Sequence, residues 1–238
     1  MKIVDAIWEK RNLETNTIEI TIEEHDTADR VSHILQDQSA GYMVVKLPVS
    51  RTDLIFQLQD LGYAYIEDMV TLYHDLHEVS YSPIQKRLRD AVDTATMDKA
   101  DVDVLCGEIR KGMFDSDRIF LDPYFTWEMA KKRYVNWVQD EYARGTEFVK
   151  YLYKDKVIGF FALREAENKE YDSFLGGMYK EYQKGGLGTV VKVPQAVKER
   201  GGKKVRASVS TNNIFQLRAL TMNGYIPESI IHTFIKHN

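Results

Sequence analysis

The sequence predicts an α/β protein in which a smaller α/β unit precedes a larger one, and three observations predict it. Short runs with alternating apolar residues, such as Thr17-Ile18-Glu19-Ile20-Thr21-Ile22, are interleaved with segments whose apolar residues recur at helical spacing, such as Val31, Ile34 and Leu35. A strand-like stretch ending at Met178 runs into a loop holding Gly185, Gly186 and Gly188 and then into an apolar run, the order of strand, tight turn and helix start. Finally, Ile55-Phe56-Gln57-Leu58 recurs as Ile214-Phe215-Gln216-Leu217, and each copy leads through a helix to Gly62-Tyr63 or Gly224-Tyr225 and on to an apolar strand. On that reading the first unit is a shortened, degenerate copy of the second. The expected division is residues 1–105, ending in a polar connector from about 74, and residues 106–238.

In chain order, Thr17 to Ile22 and Tyr42 to Leu47 read as strands, the latter stopped by Pro48. Leu54, Ile55, Leu58 and Leu61 mark a helix that Gly62 ends, and a strand then reaches Tyr73. None of this carries visible chemistry, so the first unit is expected to brace the second and wall one side of a cleft. Ser80-Tyr81-Ser82-Pro83 is a breaker before an exposed helix from Gln85 to Asp93. His74 and His77, beside Asp75 and Glu78, have no third ligand placed by any motif and read as surface polar residues. The second unit opens at Arg118-Ile119-Phe120-Leu121-Asp122-Pro123-Tyr124-Phe125 and continues as a helix from Trp127 to Arg144, stopped by Gly145. Phe148 to Tyr153 and Lys156 to Leu163 form a hairpin turned at Lys154-Asp155. Tyr171 to Met178 and Val205 to Val209 are further strands.

Composition excludes several classes. At 238 residues with 44% hydrophobic and 29% charged residues, the chain is long enough for sizeable cores. A net charge of −4 argues against general affinity for nucleic acid or anionic membrane. The single cysteine, Cys106, leaves no intramolecular disulfide and no cysteine zinc site, which fits a cytoplasmic location. Charge arrives too early for a signal peptide, and the longest apolar run, Val157 to Leu163, is too short to span a bilayer. The basic stretch from Lys198 to Arg206 has no interleaved aromatics and reads as a solvated turn.

The glycine loop is a phosphate cradle: without Cβ atoms its backbone N–H groups can approach an anion, and a helix start behind it adds unsatisfied donors. A P-loop needs Gly-Lys-Ser/Thr, whereas Gly188 is followed by Thr189-Val190-Val191. A dinucleotide fingerprint needs a small residue where Val191 stands. Gln183, Gly186 and Gly188 fit Gln/Arg-x-x-Gly-x-Gly/Ala. In this the chain resembles the GCN5-related N-acetyltransferases (GNAT), and Asn213 followed by Gly224 and Tyr225 is similar to that family's second signature. Leu121-Asp122-Pro123, Leu163-Arg164-Glu165 and Lys46-Leu47-Pro48 are further similar to the two-domain bacterial TDP-fucosamine acetyltransferase group, which acetylates an amine of a nucleotide-linked sugar.

The resemblance implies a GNAT acyltransferase fold, a mixed and partly antiparallel sheet flanked by helices, and acetyl-CoA as co-substrate with no metal. It implies a pyrophosphate site at Gln183, Lys184, Gly185, Gly186, Leu187, Gly188 and Thr189, with Asn213 near the pantetheine arm. The backbone N–H of Met178 would polarise the thioester, with Gly176 and Gly177 letting the strand bulge open. Glu165 and Asp172 are the candidate bases for the amine. The family's usual tyrosine acid falls at Leu220, which cannot donate a proton; Tyr179, Ser210 and Thr221 are candidate substitutes. Gln216 and Ala219 depart from the family pattern, and Pro194 should kink a helix begun near Leu187. The implied function is acetyl transfer to a primary amine of a small molecule, a nucleotide-linked amino sugar above others. Two other classes stay open: a non-catalytic sensor or interaction module, and, further off, a nucleotide hydrolase. A homodimer is compatible with exposed sheet edges.

Overall fold

The computed structural model describes residues 1–77, 81–183 and 189–238. Its first part contains β1 (Lys2–Asp5), α1 (Ile7–Leu13), β2 (Thr17–Thr21), α2 (Ala28–Asp37), β3 (Tyr42–Pro48), α3 (Ile55–Asp60) and β4 (Ala64–Asp75). There follow α4 (Pro83–Asp90), β5 (Asp93–Thr96), α5 (Lys99–Arg110), α6 (Arg118–Leu121), α7 (Trp127–Ala143), β6 (Glu147–Tyr153) and β7 (Lys156–Glu165). The last are β8 (Glu170–Met178), α8 (Lys192–Glu199), β9 (Lys204–Ser210), α9 (Ile214–Met222) and β10 (Ile226–His237).

Local chemistry explains the boundaries. Thr27, Ser82, Asp98 and Thr126 cap α2, α4, α5 and α7 by accepting a hydrogen bond from a backbone N–H three residues on, and Ser82 and Asp98 form full capping boxes. Lys154 and Asp155 both have positive φ, as a two-residue hairpin of this hand requires. Pro194 does not kink its helix. A 3-10 turn at Thr189–Val191 precedes α8, which starts at Lys192, so Pro194 sits in the first turn, where backbone donors have no intrahelical acceptor.

Among the described residues ten strands form one sheet, in the order β1-β2-β3-β10-β4-β9-β8-β7-β6-β5. Its centre is palindromic. β2 runs parallel to β3 as β8 does to β9, β10 is antiparallel to β3 as β4 is to β9, and β4 and β10 pair antiparallel with each other. Tyr42–Pro48 corresponds to Lys204–Ser210, and Ala64–Asp75 to Ile226–His237, at one constant offset along the chain. Met69 pairs with its own counterpart Ile231, so an approximate two-fold axis passes between them. The first part is therefore a partial copy of the second, and the copies exchange their last strands: β4 lies against β9, and β10 against β3.

The division expected at 105/106 falls inside α5. The connector is also less polar than expected: β5 adds an edge strand to β6, and Val102, Leu105, Cys106 and Ile109 of α5 are buried with Tyr134, Val135 and Val138 of α7. His74 is a correction, since it is buried in β4 with Nδ1 2.8 Å from the Asp75 carbonyl and its ring edge-on to Tyr225; His77 is exposed.

The sheet has a core on each face. In β7, Phe161 and Leu163 pack with α8 and α9 on one side, and Phe160 and Ala162 with α5 and α7 on the other. No helix among the described residues is long and apolar enough to cross a membrane.

Candidate active site

The central feature is a parting of two parallel strands. β8 and β9 pair only from Glu170–Lys204 to Asp172–Arg206, although β8 continues to Met178 and β9 to Ser210. Beyond that point β8 follows β7, with register held from Ala162–Leu175 to Gly159–Met178, while β9 follows β4 out to Met69–Ser210. A cavity of about 330 Å³ occupies the parting, lined by Ser173 to Met178 on one side and Ala207 to Ser210 on the other.

The cavity reaches both faces of the sheet. On the α8/α9 face its walls are Thr189, Val190, Val193, Asn213, Leu220, Tyr225 and Tyr151. On the α6/α7 face they are Phe114, Arg118, Arg133, Tyr134, Trp137 and Phe174, joined by Lys46, Glu67 and Thr233 from central strands. The four aromatic rings on that side form a connected set with Phe120: Phe114 stacks on Tyr134 at 4.6 Å, and Trp137 lies 6.0 Å from Tyr134 and 5.6 Å from Phe174.

Met178 is placed as the sequence suggests. The Tyr179 N–H donates to the Ile158 carbonyl (2.9 Å), which makes Ile158–Tyr179 a hydrogen-bonded pair. Alternation in an antiparallel ladder then turns the Met178 N–H away from β7, toward the parting. Gly176 lines the same stretch, and Gly159 allows the approach behind it: a Cβ there would stand 2.4 Å from the Gly177 carbonyl oxygen. Thr189 donates to the Met178 sulfur (3.2 Å), and Gln183 donates to the Met113 (2.9 Å) and Met178 (3.4 Å) carbonyls, so both residues are held at the strand end. Asn213 lines the cavity while its side chain caps α9 by accepting from the Gln216 N–H (3.1 Å). Lys184, Gly185, Gly186, Leu187 and Gly188 lie outside the described residues.

The other candidates are not brought to the cavity. Glu165 is exposed at the far end of β8's partner strand, roughly 20 Å from Met178 at about 3.3 Å per residue. It accepts from Lys169 (2.9 Å), which holds its carboxyl below the usual range, and from Tyr171 (3.3 Å). Asp172 stands at the last β8–β9 pair and is not among the lining residues. Burial raises its carboxyl, against the pull of Arg164 and Arg206. Tyr179 turns into the α5 core among Cys106, Leu105 and Met113; burial raises its phenol, which has no hydrogen-bond partner among the described residues. The strand end explains this: one residue past Met178, the side chain falls on the opposite face.

Leu220 does line the cavity, 3% exposed, where an acid was sought. The ionisable groups beside it are Tyr151 and Tyr225, which the sequence reading missed; burial raises both phenols and keeps them protonated. Also missed was Glu67, a buried carboxyl in the middle of β4. Two adjacent acids, Glu67 and Asp68, in the interior of an otherwise apolar strand were the available signal.

A charged network joins the copies beside the cavity. Arg118 reaches Glu19 (2.5 Å) and Glu9 (3.6 Å), Arg133 reaches Glu9 (2.7 Å) and Asp117 (3.3 Å), and Lys46 reaches Glu19 (2.6 Å). Burial opposes the Glu19 charge, yet Arg118 and Lys46 bring its carboxyl down to about 2.

No protein-family model matches the sequence, and no curated protein matches it. Solved structures do share the fold. A conserved protein of unknown function from Staphylococcus epidermidis superposes with a TM-score of 0.61 at 14% identity, over 94% of this chain and 85% of that one. A GCN5-related N-acetyltransferase from Sphaerobacter thermophilus gives 0.57 at 13% identity, over 82% of this chain and 59% of its own length. A tandem GNAT protein from the clavulanic acid biosynthesis pathway gives 0.54 at 11% identity, over 93% and 75%. The chain has the GNAT fold, preceded by a partial copy of it.

Proposed function

We propose that the chain transfers an acyl group, acetyl first among them, from a coenzyme A thioester to a primary amine at the parting of β8 and β9. The observation that carries this reading is the parting itself. It leaves strand backbone groups unpaired along a slot, the surroundings an extended amide-bearing thioester arm would pair with, and it turns the Met178 N–H toward the space an acyl carbonyl would occupy. Gln183 to Thr189 would hold the pyrophosphate, and Asn213, Val190, Val193 and Leu220 would flank the arm. The amine would enter from the α6/α7 face, past Phe114, Tyr134 and Trp137. Tyr151 and Tyr225 replace Tyr179 as the groups placed to protonate the departing thiolate.

As acceptor, nucleotide-linked amino sugars are the class to test first, on the likeness to the TDP-fucosamine acetyltransferase group. One motif of that likeness has a structural task here. Asp122 accepts from the Tyr124 N–H (3.0 Å) and bonds His237 Nε2 (2.8 Å), tying the turn before α7 to β10. Leu220 supports a second reading, a non-catalytic module that keeps the coenzyme.

The test has two stages. Acetyl-CoA at 100 times its Kd should stabilise the protein by about 2.7 kcal/mol, a rise of roughly 5–10 °C in Tm. Thiol release should then follow addition of an amine from a panel of amino sugars, polyamines and peptides. A thermal shift without turnover favours the module, and no shift at millimolar acetyl-CoA removes the coenzyme from both readings.

A further inference from the structure

Glu67 is 3% exposed, lines the cavity on its α6/α7 face, makes no ion pair among the described residues, and has an Oε2 with no hydrogen-bond partner there. A buried carboxylate in that condition costs several kcal/mol. The fold does not require it. A β-bulge opposite Thr233 places Ile66 and Glu67 on the same face, and the counterpart strand carries the same irregularity between Pro227 and Ser229. There the residue equivalent to Glu67 is Ser229, which is exposed. The repeated architecture accordingly makes its bulge with a serine in one copy and keeps a costly carboxyl in the other, in the wall of the cavity where β8 and β9 part.

We infer that Glu67 is the base that takes the proton of the acceptor amine, so that the first copy completes a site whose coenzyme-binding half belongs to the second; this rests on the acyl-transfer reading above. An ammonium entering past Tyr134 and Trp137 gives one proton to the Glu67 carboxylate. The freed nitrogen lone pair forms the C–N bond at the thioester carbonyl carbon, and the carbonyl electrons move to an oxygen held by the Met178 N–H. Collapse breaks the C–S bond, the Tyr151 or Tyr225 hydroxyl gives its proton to sulfur and is restored by the second nitrogen proton, and the products are an amide and a free thiol. Glu67 returns its proton to solvent.

The charged and titratable groups around Glu67 are Arg118 on α6, Asp117 just before it, Arg133 and Tyr134 on α7, and Lys46 on β3. Burial raises the Glu67 carboxyl toward the working range of a base, helped by Asp117 and against the pull of the Ser210 hydroxyl, the Arg118 charge and the Arg118 backbone; Arg118 and Arg133 make their ion pairs with Glu9, Glu19 and Asp117 instead.

The test compares wild type with Glu67→Gln at saturating acetyl-CoA, across the amine panel and from pH 5.5 to about 9.5, a span bracketing neutrality. The expected result is a fall of roughly 10²–10⁴-fold in kcat near neutrality. The acid limb of the wild-type profile should be replaced by a rate that climbs with pH toward the pKa of the free amine. Acetyl-CoA should stabilise both proteins equally. Glu67→Asp, which withdraws the carboxyl by one methylene, should keep the acid limb with a smaller loss, and it carries the test if the glutamine variant does not fold. An acid limb and a wild-type rate retained in Glu67→Gln, or a wild-type rate in Glu67→Asp, overturns the base and leaves the acyl-transfer reading standing. Absence of turnover in wild type overturns that reading, and the base with it.

Discussion

The two copies share a scaffold and differ in one respect that decides where a ligand can go. In the first, every residue of β2 pairs with β3, and the Ile22 N–H continues the ladder to the Lys46 carbonyl (2.9 Å), so no parting exists. In the second, β8 and β9 separate after three pairs. The loops that follow differ in the same sense. After β2 comes Glu23-Glu24-His25-Asp26, whose carboxylates receive the ammonium of Met1, at 3.0 Å from Glu23 and 2.9 Å from Asp26. After β8 comes the glycine-rich segment. An acidic loop beside a closed ladder would repel a pyrophosphate, whereas an open ladder leaves backbone donors free. A GNAT scaffold thus becomes a candidate site through the pairing that is missing between two of its strands, while the duplicate gives up the site and contributes a strand and a carboxyl.

The contact between copies offers the largest test. Glu19 of the first copy lies between Lys46 and Arg118, and its carboxyl is held at about 2 against an ordinary 4.5. Because the folded value is the lower one, the stabilisation is fully present above about pH 4.5 and is lost as pH falls toward 2. At 1.36 kcal/mol per pKa unit this is about 3 kcal/mol. Glu19→Gln should therefore flatten the dependence of unfolding free energy on pH in that window, measured by urea titration at several acidic pH values. An unchanged slope would mean that the copies are not joined through this carboxylate.

A smaller effect is expected where the copies diverge. A methyl group at position 159 would meet the Gly177 carbonyl oxygen at 2.4 Å and the Met178 Cα at 2.9 Å, both backbone atoms that cannot rotate aside. Gly159→Ala should cost roughly 1–3 kcal/mol. It should also lower acyl transfer by more than the stability loss explains, because it displaces the Met178 N–H. Equal stability and turnover would show that the strand end has freedom the parting does not need.

Much of this architecture was legible in the sequence, for physical reasons. Alternation marked β2, unbroken apolar runs marked β3 and β7, which carry core residues on both faces, and glycine marked the ends of α3, α7 and α9. Gly62-Tyr63 and Gly224-Tyr225 keep the offset that relates the strands of the two copies, whereas the echo of Ile55-Phe56-Gln57-Leu58 in Ile214-Phe215-Gln216-Leu217 stands three residues out of that register. What the sequence hid was partnership. β4 and β10 have the same length, and nothing local says that each crosses to the other copy, so Glu67 stood far in sequence from the site it lines. Tyr179 and Glu165 were misplaced by one side-chain alternation and by strand direction, both settled only when the register is known. α5 passed as part of a polar connector because its five charged residues outnumber the buried Val102, Leu105, Cys106 and Ile109.

The finest comparison is between Gly62 and Gly224, which end α3 and α9 at equivalent places with φ of 82° and 86°. Both adopt a left-handed conformation, so alanine at either should cost about 1 kcal/mol through the backbone alone. Their surroundings differ. A Cβ at 62 would have only the end of the Lys236 side chain near it, at 3.8 Å, whereas a Cβ at 224 would stand 3.1 Å from His74 Nε2. That ring is held by its bond to the Asp75 carbonyl and by the edge-on contact with Tyr225, so it yields only by disturbing β4 where it crosses into the second copy. Gly224→Ala should therefore lower stability by more than Gly62→Ala, the excess being up to about 1 kcal/mol. Chemical unfolding of the two variants side by side measures it. Equal losses would show that His74 moves freely and that the two junctions are equivalent in energy as well as in shape.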